Sequence, residues 1–174
     1  MQTLREYSIS AASVGLCMLL GAAVYESMVM APNYALGLPV LEHARGFLVA
    51  STPAAFFRTL SPAVQLLLFL SVVLAWRAAP ARLRWLLLAS LCAAIATDVV
   101  TFTFHYPRNA IMFVEPLDRP AAELRRIAQE WAWGNYVRIG LLCVAVAAAG
   151  TALKTQPRAL SLGSGTSAHD TPIT

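Results

Sequence analysis

The sequence predicts an all-α fold, an antiparallel four-helix transmembrane bundle with a short interfacial helix in its first outer loop, and three observations carry that prediction. The chain has 174 residues, 58% hydrophobic and 13% charged, against about 45–50% and about 25% in ordinary soluble domains. More apolar surface is present than a core of this size can hide from water. The excess is gathered into four runs, each close to the roughly 20 residues that cross a bilayer, at 8–30, 53–76, 83–104 and 134–153. Their connections read long, tight, long, and an even number of spans returns both termini to one side.

One membrane domain over 1–154 therefore accounts for the chain, followed by a Ser, Gly, Thr and Pro rich tail, 155–174, read as disordered and cytoplasmic. The net charge of +4 does not point to nucleic acid. Twelve of the thirteen cations are Arg, scattered in short groups between apolar runs, with no basic stripe interleaved with aromatics. One side carries Arg5, Arg77, Arg82, Arg84, Lys154 and Arg158, and the other Arg45, Arg58, Arg108, Arg119, Arg125 and Arg126. The tie is broken by the three arginines packed into the tight connection, because short loops weigh most in setting orientation. Both termini are expected in the cytoplasm of a bacterial-type inner membrane.

In the first run, Gly21-Ala22-Ala23 after Arg5 imitates a signal-peptidase site, but apolar residues continue to Met30, which favours an uncleaved helix. In the following loop, Leu41, Ala44, Phe47 and Leu48 recur at helical spacing while Glu42, His43 and Arg45 face away, as in a helix lying on the membrane surface from Leu41 to Ala50. Thr52-Pro53 supplies an N-cap and a first-turn proline for the second span, and Pro62 is expected to kink it. Pro107 is expected to break the third helix so that Asn109 folds back over its mouth. Pro120 opens a helix that runs from Ala121 into the fourth span, about 50 Å in all at 1.5 Å per residue, with Gly134 as a place to bend.

Cys17, Cys92 and Cys143 lie in separate apolar runs without a C-x-x-C pair. No disulfide or thiol redox centre follows, and they read as small core filler.

Ionisable groups inside spans ask for a partner. There are four, Glu26, Arg58, Asp98 and Arg138, one per run, and helical rise puts all four within roughly 6–10 Å of the outer boundary. They suit either a structural clasp that fixes helix order or the floor of a functional pocket. Just outward, Asp98, Thr101 and His105 share one face of the third helix, and Trp131, Asn135 and Arg138 share one face of the fourth. The two faces are expected to converge on a cavity roofed by an aromatic. A metal would need His43 or Glu42 beside His105 and Glu115, but no ligand spacing supports that, and haem ligation lacks histidines on the spans. No metal and no cofactor are expected.

The stretch Thr103-Phe104-His105-Tyr106-Pro107-Arg108-Asn109, followed by Trp131, Asn135 and Arg138 at the mouth of the last span, resembles the anthrone-oxygenase-like family of small four-helix membrane proteins. Tyr25-Glu26 followed by Pro32-Asn33-Tyr34 adds to the resemblance, which covers residues 10–153. Two positions depart from the family pattern: Arg108 stands where an apolar residue is usual, and His105 where Asn is common. The resemblance implies the same bundle and, by analogy with the fungal members, conversion of an anthrone to an anthraquinone by molecular oxygen without a bound cofactor. His105 or Asp98 would then be the base, with Arg138, Asn135 and Asn109 cradling the developing oxyanion, and Glu26, Arg58 and Trp131 completing the substrate site.

The competing expectation is a non-catalytic membrane protein, a hydrophobic-ligand binder or partner subunit, whose charge cluster is structural. An ion or proton pathway is disfavoured because no charged residue lies in the inner half of any span. The expected partners are the lipid bilayer and a hydrophobic aromatic small molecule. The sequence does not determine the oligomeric state.

Overall fold

The computed structural model describes residues 2–155. Of the tail expected to be disordered, residues 156–174 lie outside the described part. Four helices are long and apolar enough to cross a membrane: a first span Gln2–Tyr34, a second Pro53–Trp76, a third Ala81–Val114 and a fourth Ala121–Lys154. A connecting helix, Leu38–Phe47, joins the first two. Among the described residues no strand forms.

Each span packs against its chain neighbours, and the fourth closes on the first. The side-chain pairings run in opposite directions along neighbouring helices, as in an antiparallel bundle. Early Ser8 bonds late Ser71 at 2.7 Å, while late Glu26 meets early Arg138. Mid-bundle, the Ser90 hydroxyl donates to the Ala145 carbonyl at 2.9 Å, and a Cβ on Gly15 would collide with the Val64 side chain. Small residues and hydroxyls at helix contacts are the expected adhesive where lipid supplies no hydrophobic drive between helices.

Three of the spans are longer than their apolar runs. At 1.5 Å per residue the 34-residue third and fourth spans extend about 20 Å beyond a hydrocarbon core about 30 Å thick. Apolar composition limits what enters lipid, but the backbone ladder continues for as long as nothing breaks it. The overhangs of the first, third and fourth spans gather at one end with the connecting helix. There they bury a second apolar cluster, including Tyr34, Leu41, Met112, Leu124, Ile127 and Trp131, separate from the main core around Leu16, Leu68, Leu87 and Leu142. The polar layer lies at the junction of the two.

The third span does not break at Pro107. The helix widens to a π-turn over Thr101–His105, where the Tyr106 amide donates to the Thr101 carbonyl, then continues through Tyr106–Asn109 and a further π-turn, Ala110–Val114. The first span does the same before Pro32, with a π-turn over Glu26–Met30 and the Ala31 amide bonded to the Glu26 carbonyl. A proline has no N–H and its ring crowds the carbonyl four residues back. Slipping the ladder by one residue accommodates it without ending the helix. Asn109 therefore stays on a helical turn instead of folding back.

Other expectations are corrected in detail. Thr52 occupies the expected cap position of the second span, with Pro53 in its first turn, but makes no side-chain capping bond. Gly37, with φ of 106°, separates the first span from the connecting helix, a conformation that favours glycine. That helix begins and ends three residues earlier than expected, with Leu41 fully buried but Phe47 78% exposed. Cys17, Cys92 and Cys143 all face away from the bundle. In a membrane protein the outward surface is as apolar as the core, so an apolar context does not tell a small residue which way to point.

Between the third and fourth spans, Arg119 bridges Glu123 at 2.8 Å and Glu115 at 3.3 Å. The Glu123 and Glu115 carboxylates hold its guanidinium above the ordinary arginine range, though such exposed pairs contribute little to stability.

Candidate functional site

One side chain, bonded to backbone carbonyls 66 to 70 residues away, shapes the end of the bundle that carries the connecting helix. Arg45, expected to face away from the membrane, instead turns inward: its Nε donates to the Met112 carbonyl at 2.9 Å, and its Nη2 to the carbonyls of Ile111 at 3.2 Å and Glu115 at 2.6 Å. The last carbonyls of a helix lack intrahelical donors and carry partial negative charge. One guanidinium caps the third span and ties the connecting helix to it.

Beneath this strap lies a vestibule of about 340 Å³, within the range of small-molecule sites. Every span and the connecting helix contribute to its wall. Glu26 and Tyr34 come from the first span, Thr52 to Arg58 from the second, Tyr106 to Val114 from the third, and Trp131 from the fourth. Tyr34 meets Phe113 and Trp131 edge to face, with centroids 5.1 and 5.8 Å apart.

Inward of the vestibule is a chamber of about 30 Å³ bordered by Glu26, Phe57, Thr101, His105, Asn109, Trp131 and Arg138. Most of the residues singled out in the sequence thus converge on one spot. The Trp131 indole N–H donates to Asn109 Oδ1 at 2.7 Å, and among the described residues the Asn109 amide N–H groups make no hydrogen bond. His105 is 1% exposed. Its ring stands edge to face with Trp131 and Phe104, at 5.3 and 5.7 Å, and neither ring nitrogen makes a well-formed hydrogen bond among the described residues. Gly134 is what admits this packing, because a Cβ there would run into the Phe104 ring and come within 3.1 Å of His105 Nε2. Its role is close approach.

The four intramembrane charges do not form a single clasp. Arg138 Nη1 lies 3.4 Å from Glu26 Oε2 and donates to Asn135 Oδ1 at 2.8 Å, with its guanidinium 4.5 Å from the Phe57 ring centroid. Asn135, completely buried, reaches the Ala23 carbonyl at 3.5 Å and borders neither cavity. Its side-chain oxygen accepts from Arg138 and so helps to orient that guanidinium. Asp98 is held by neutral groups: Ser61 Oγ is 2.9 Å from both carboxylate oxygens and Gln65 Nε2 is 2.7 Å from Oδ2. Arg58 donates from Nε to the Tyr106 hydroxyl at 3.2 Å and lies 5.3 Å from that ring's centroid.

Asp98 and Arg58 border a separate cleft of about 180 Å³ between the second and third spans, divided from the chamber by Phe57, Thr101 and Tyr106. A regular α-helix would stack Asp98 beneath His105. The π-turn at Thr101–His105 winds through a smaller angle per residue and separates the two. Among the described residues no three His, Cys, Asp or Glu side chains come together as metal ligands.

A family model described as anthrone oxygenase matches residues 54–148, more than half of the chain. The chain belongs to the anthrone oxygenase family. No curated protein and no solved structure matches it. The matched segment takes in His105, Asn109, Trp131 and Arg138, whereas Glu26 and Tyr34 lie before it. Within this anthrone oxygenase family member, Arg108 has its own partner: two of its nitrogens donate to Glu130 Oε2 at 2.8 and 3.2 Å, and its guanidinium lies 3.6 Å from the Phe104 ring centroid.

Sequence reasoning missed Arg45, Tyr106, Ser61 and Gln65 as site residues. Arg58, Ser61 and Gln65 repeat at i, i+3 and i+7, a polar stripe on an apolar helix that was there to be read. Tyr106 stood inside the stretch that carries the family resemblance, whereas Arg45 offered no local signal.

Proposed function

We propose that the protein is a cofactor-independent membrane oxygenase that admits a hydrophobic aromatic of the anthrone kind to the vestibule and oxidises its activated methylene with dioxygen. The observation that carries this reading is His105, buried on the wall of a chamber beside an aromatic-lined vestibule, with neither ring nitrogen in a well-formed hydrogen bond among the described residues. An imidazole nitrogen in such a place is suited to accept a proton.

In the proposed reaction His105 removes a proton from the methylene, and the negative charge spreads into the ring system and its carbonyl oxygen. The free Asn109 amide and the Arg138 guanidinium are the donors available to that oxygen. The carbanion transfers electrons to dioxygen, a C–O bond forms, and the peroxide takes up a proton. Loss of water from the resulting CH–OOH leaves a carbonyl, so one CH2 and one O2 become one C=O and one H2O. Asp98 is the poorer base, since it faces the other cleft and already accepts from Ser61 and Gln65.

A second reading, a binder without chemistry, draws support from Glu26, Arg138 and Asn135, whose polar groups answer one another inside the bundle. Oxygen uptake by detergent-purified protein on a panel of anthrones and hydroquinones separates the two. Uptake above the spontaneous rate that survives a chelator is the expected result. None on any compound removes the enzyme reading, and loss with chelator replaces it with a metal-dependent one.

A further inference from the structure

The charged groups around the vestibule can be accounted for one by one. Glu26 is answered by Arg138, and Arg45 is spent on three backbone carbonyls. Arg58 remains. Its Nε is used on the Tyr106 hydroxyl, but among the described residues no carboxylate lies within 4.0 Å of it, and Nη1 and Nη2 make no hydrogen bond. Arg58 is exposed at the wall of the vestibule, so its guanidinium is open to an anionic group on whatever enters. The stacking on Tyr106 and the Nε bond hold the guanidinium at the junction of the vestibule and the neighbouring cleft. Its two terminal nitrogens are the pair that grips a carboxylate or similar oxygen acid.

We propose that Arg58 is the anion-reading residue of the vestibule, so that the ligand is a planar aromatic bearing an acidic oxygen group, a carboxylate or an ionised phenol. The ring system lies inward toward Tyr34 and Trp131 while the acidic group meets Arg58 near the mouth. This specificity rests on the reading of the vestibule as an aromatic-ligand site, but not on the oxidation chemistry.

The test is equilibrium binding of an anthraquinone carboxylate and the matching neutral carboxamide to the full chain in neutral detergent, at neutral pH. The wild type is expected to bind the acid at least about tenfold more tightly than the amide, the order of one charge-assisted contact. Arg58→Met should bring the two within about threefold while still binding the amide as the wild type does, and Arg58→Lys, which keeps the charge, should retain part of the preference. Equal binding by the wild type, or a preference that survives Arg58→Met, overturns the inference. So does stabilisation by phosphatidylglycerol that disappears in Arg58→Met while acid and amide bind alike, because the guanidinium then serves a lipid phosphate. Failure of both ligands to bind removes the aromatic site as well, whereas acid preference without oxygen uptake leaves the specificity standing and removes only the enzyme.

Discussion

Arg138 meets Glu26 across the bundle at 3.4 Å, and both are almost wholly buried, while Asp98 on the adjoining helix is held by a serine and a glutamine. Three ionisable groups have thus divided into an ion pair and a carboxylate with neutral donors. A buried pair adds little net stability over an apolar replacement, but removing one partner leaves an uncompensated charge.

Arg138→Met is accordingly expected to cost about 3–5 kcal/mol, and Glu26→Gln in the same protein to recover part of that loss. Reversible denaturation in mixed micelles measures it through a double-mutant cycle. The Arg138→Met and Asp98→Asn pair should couple more weakly, because Asp98 has its own donors in Ser61 and Gln65 and makes no direct bond to Arg138. Coupling of equal size in both cycles would show that the three residues act as one cluster after all.

His105→Gln keeps a polar side chain of similar reach beside Trp131. If His105 is the base, turnover on an active anthrone should fall by about 10²–10⁴, the ordinary contribution of a positioned base, with ligand affinity unchanged. Oxygen-electrode rates beside a binding titration read the two separately. An activity near that of the wild type would remove His105 from the chemistry.

Arg45→Met strips the third span of three carbonyl contacts at its end. A loss of about 1–3 kcal/mol is expected for hydrogen bonds made by a charged donor. The sharper readout is hydrogen exchange, in which amides of 110–115 should exchange faster while those of 83–97 keep their protection. Uniform exchange in variant and wild type would show that the strap is dispensable.

Orientation is open to labelling on a background lacking the native cysteines. With both termini in the cytoplasm, Glu115→Cys should react with an impermeant maleimide in intact cells and Ala79→Cys only after lysis. The reverse pattern would invert the topology and place the vestibule on the cytoplasmic side.

The number of spans and the shared level of Glu26 and Arg138 were legible in the sequence because both are one-dimensional properties. Transfer of about 20 apolar residues into lipid depends on their count, and depth follows from a constant rise per residue. The faces carrying Trp131 and Arg138, and Thr101 and His105, were legible for the same reason, since helical periodicity holds over a turn or two.

What only the tertiary structure decided is phase and partnership. The π-turn before Pro107 shifted His105 away from Asp98, a change that no periodicity count registers because it alters the period itself. The cysteines turned outward because lipid and core are equally apolar and periodicity cannot tell them apart. Arg45 found its carbonyls 66 to 70 residues away in the chain, and Asp98 found Ser61 and Gln65 in place of an arginine. Such contacts depend on how whole helices rotate against one another, and that rotation is set by the packing of the entire bundle and not by any local run of residues.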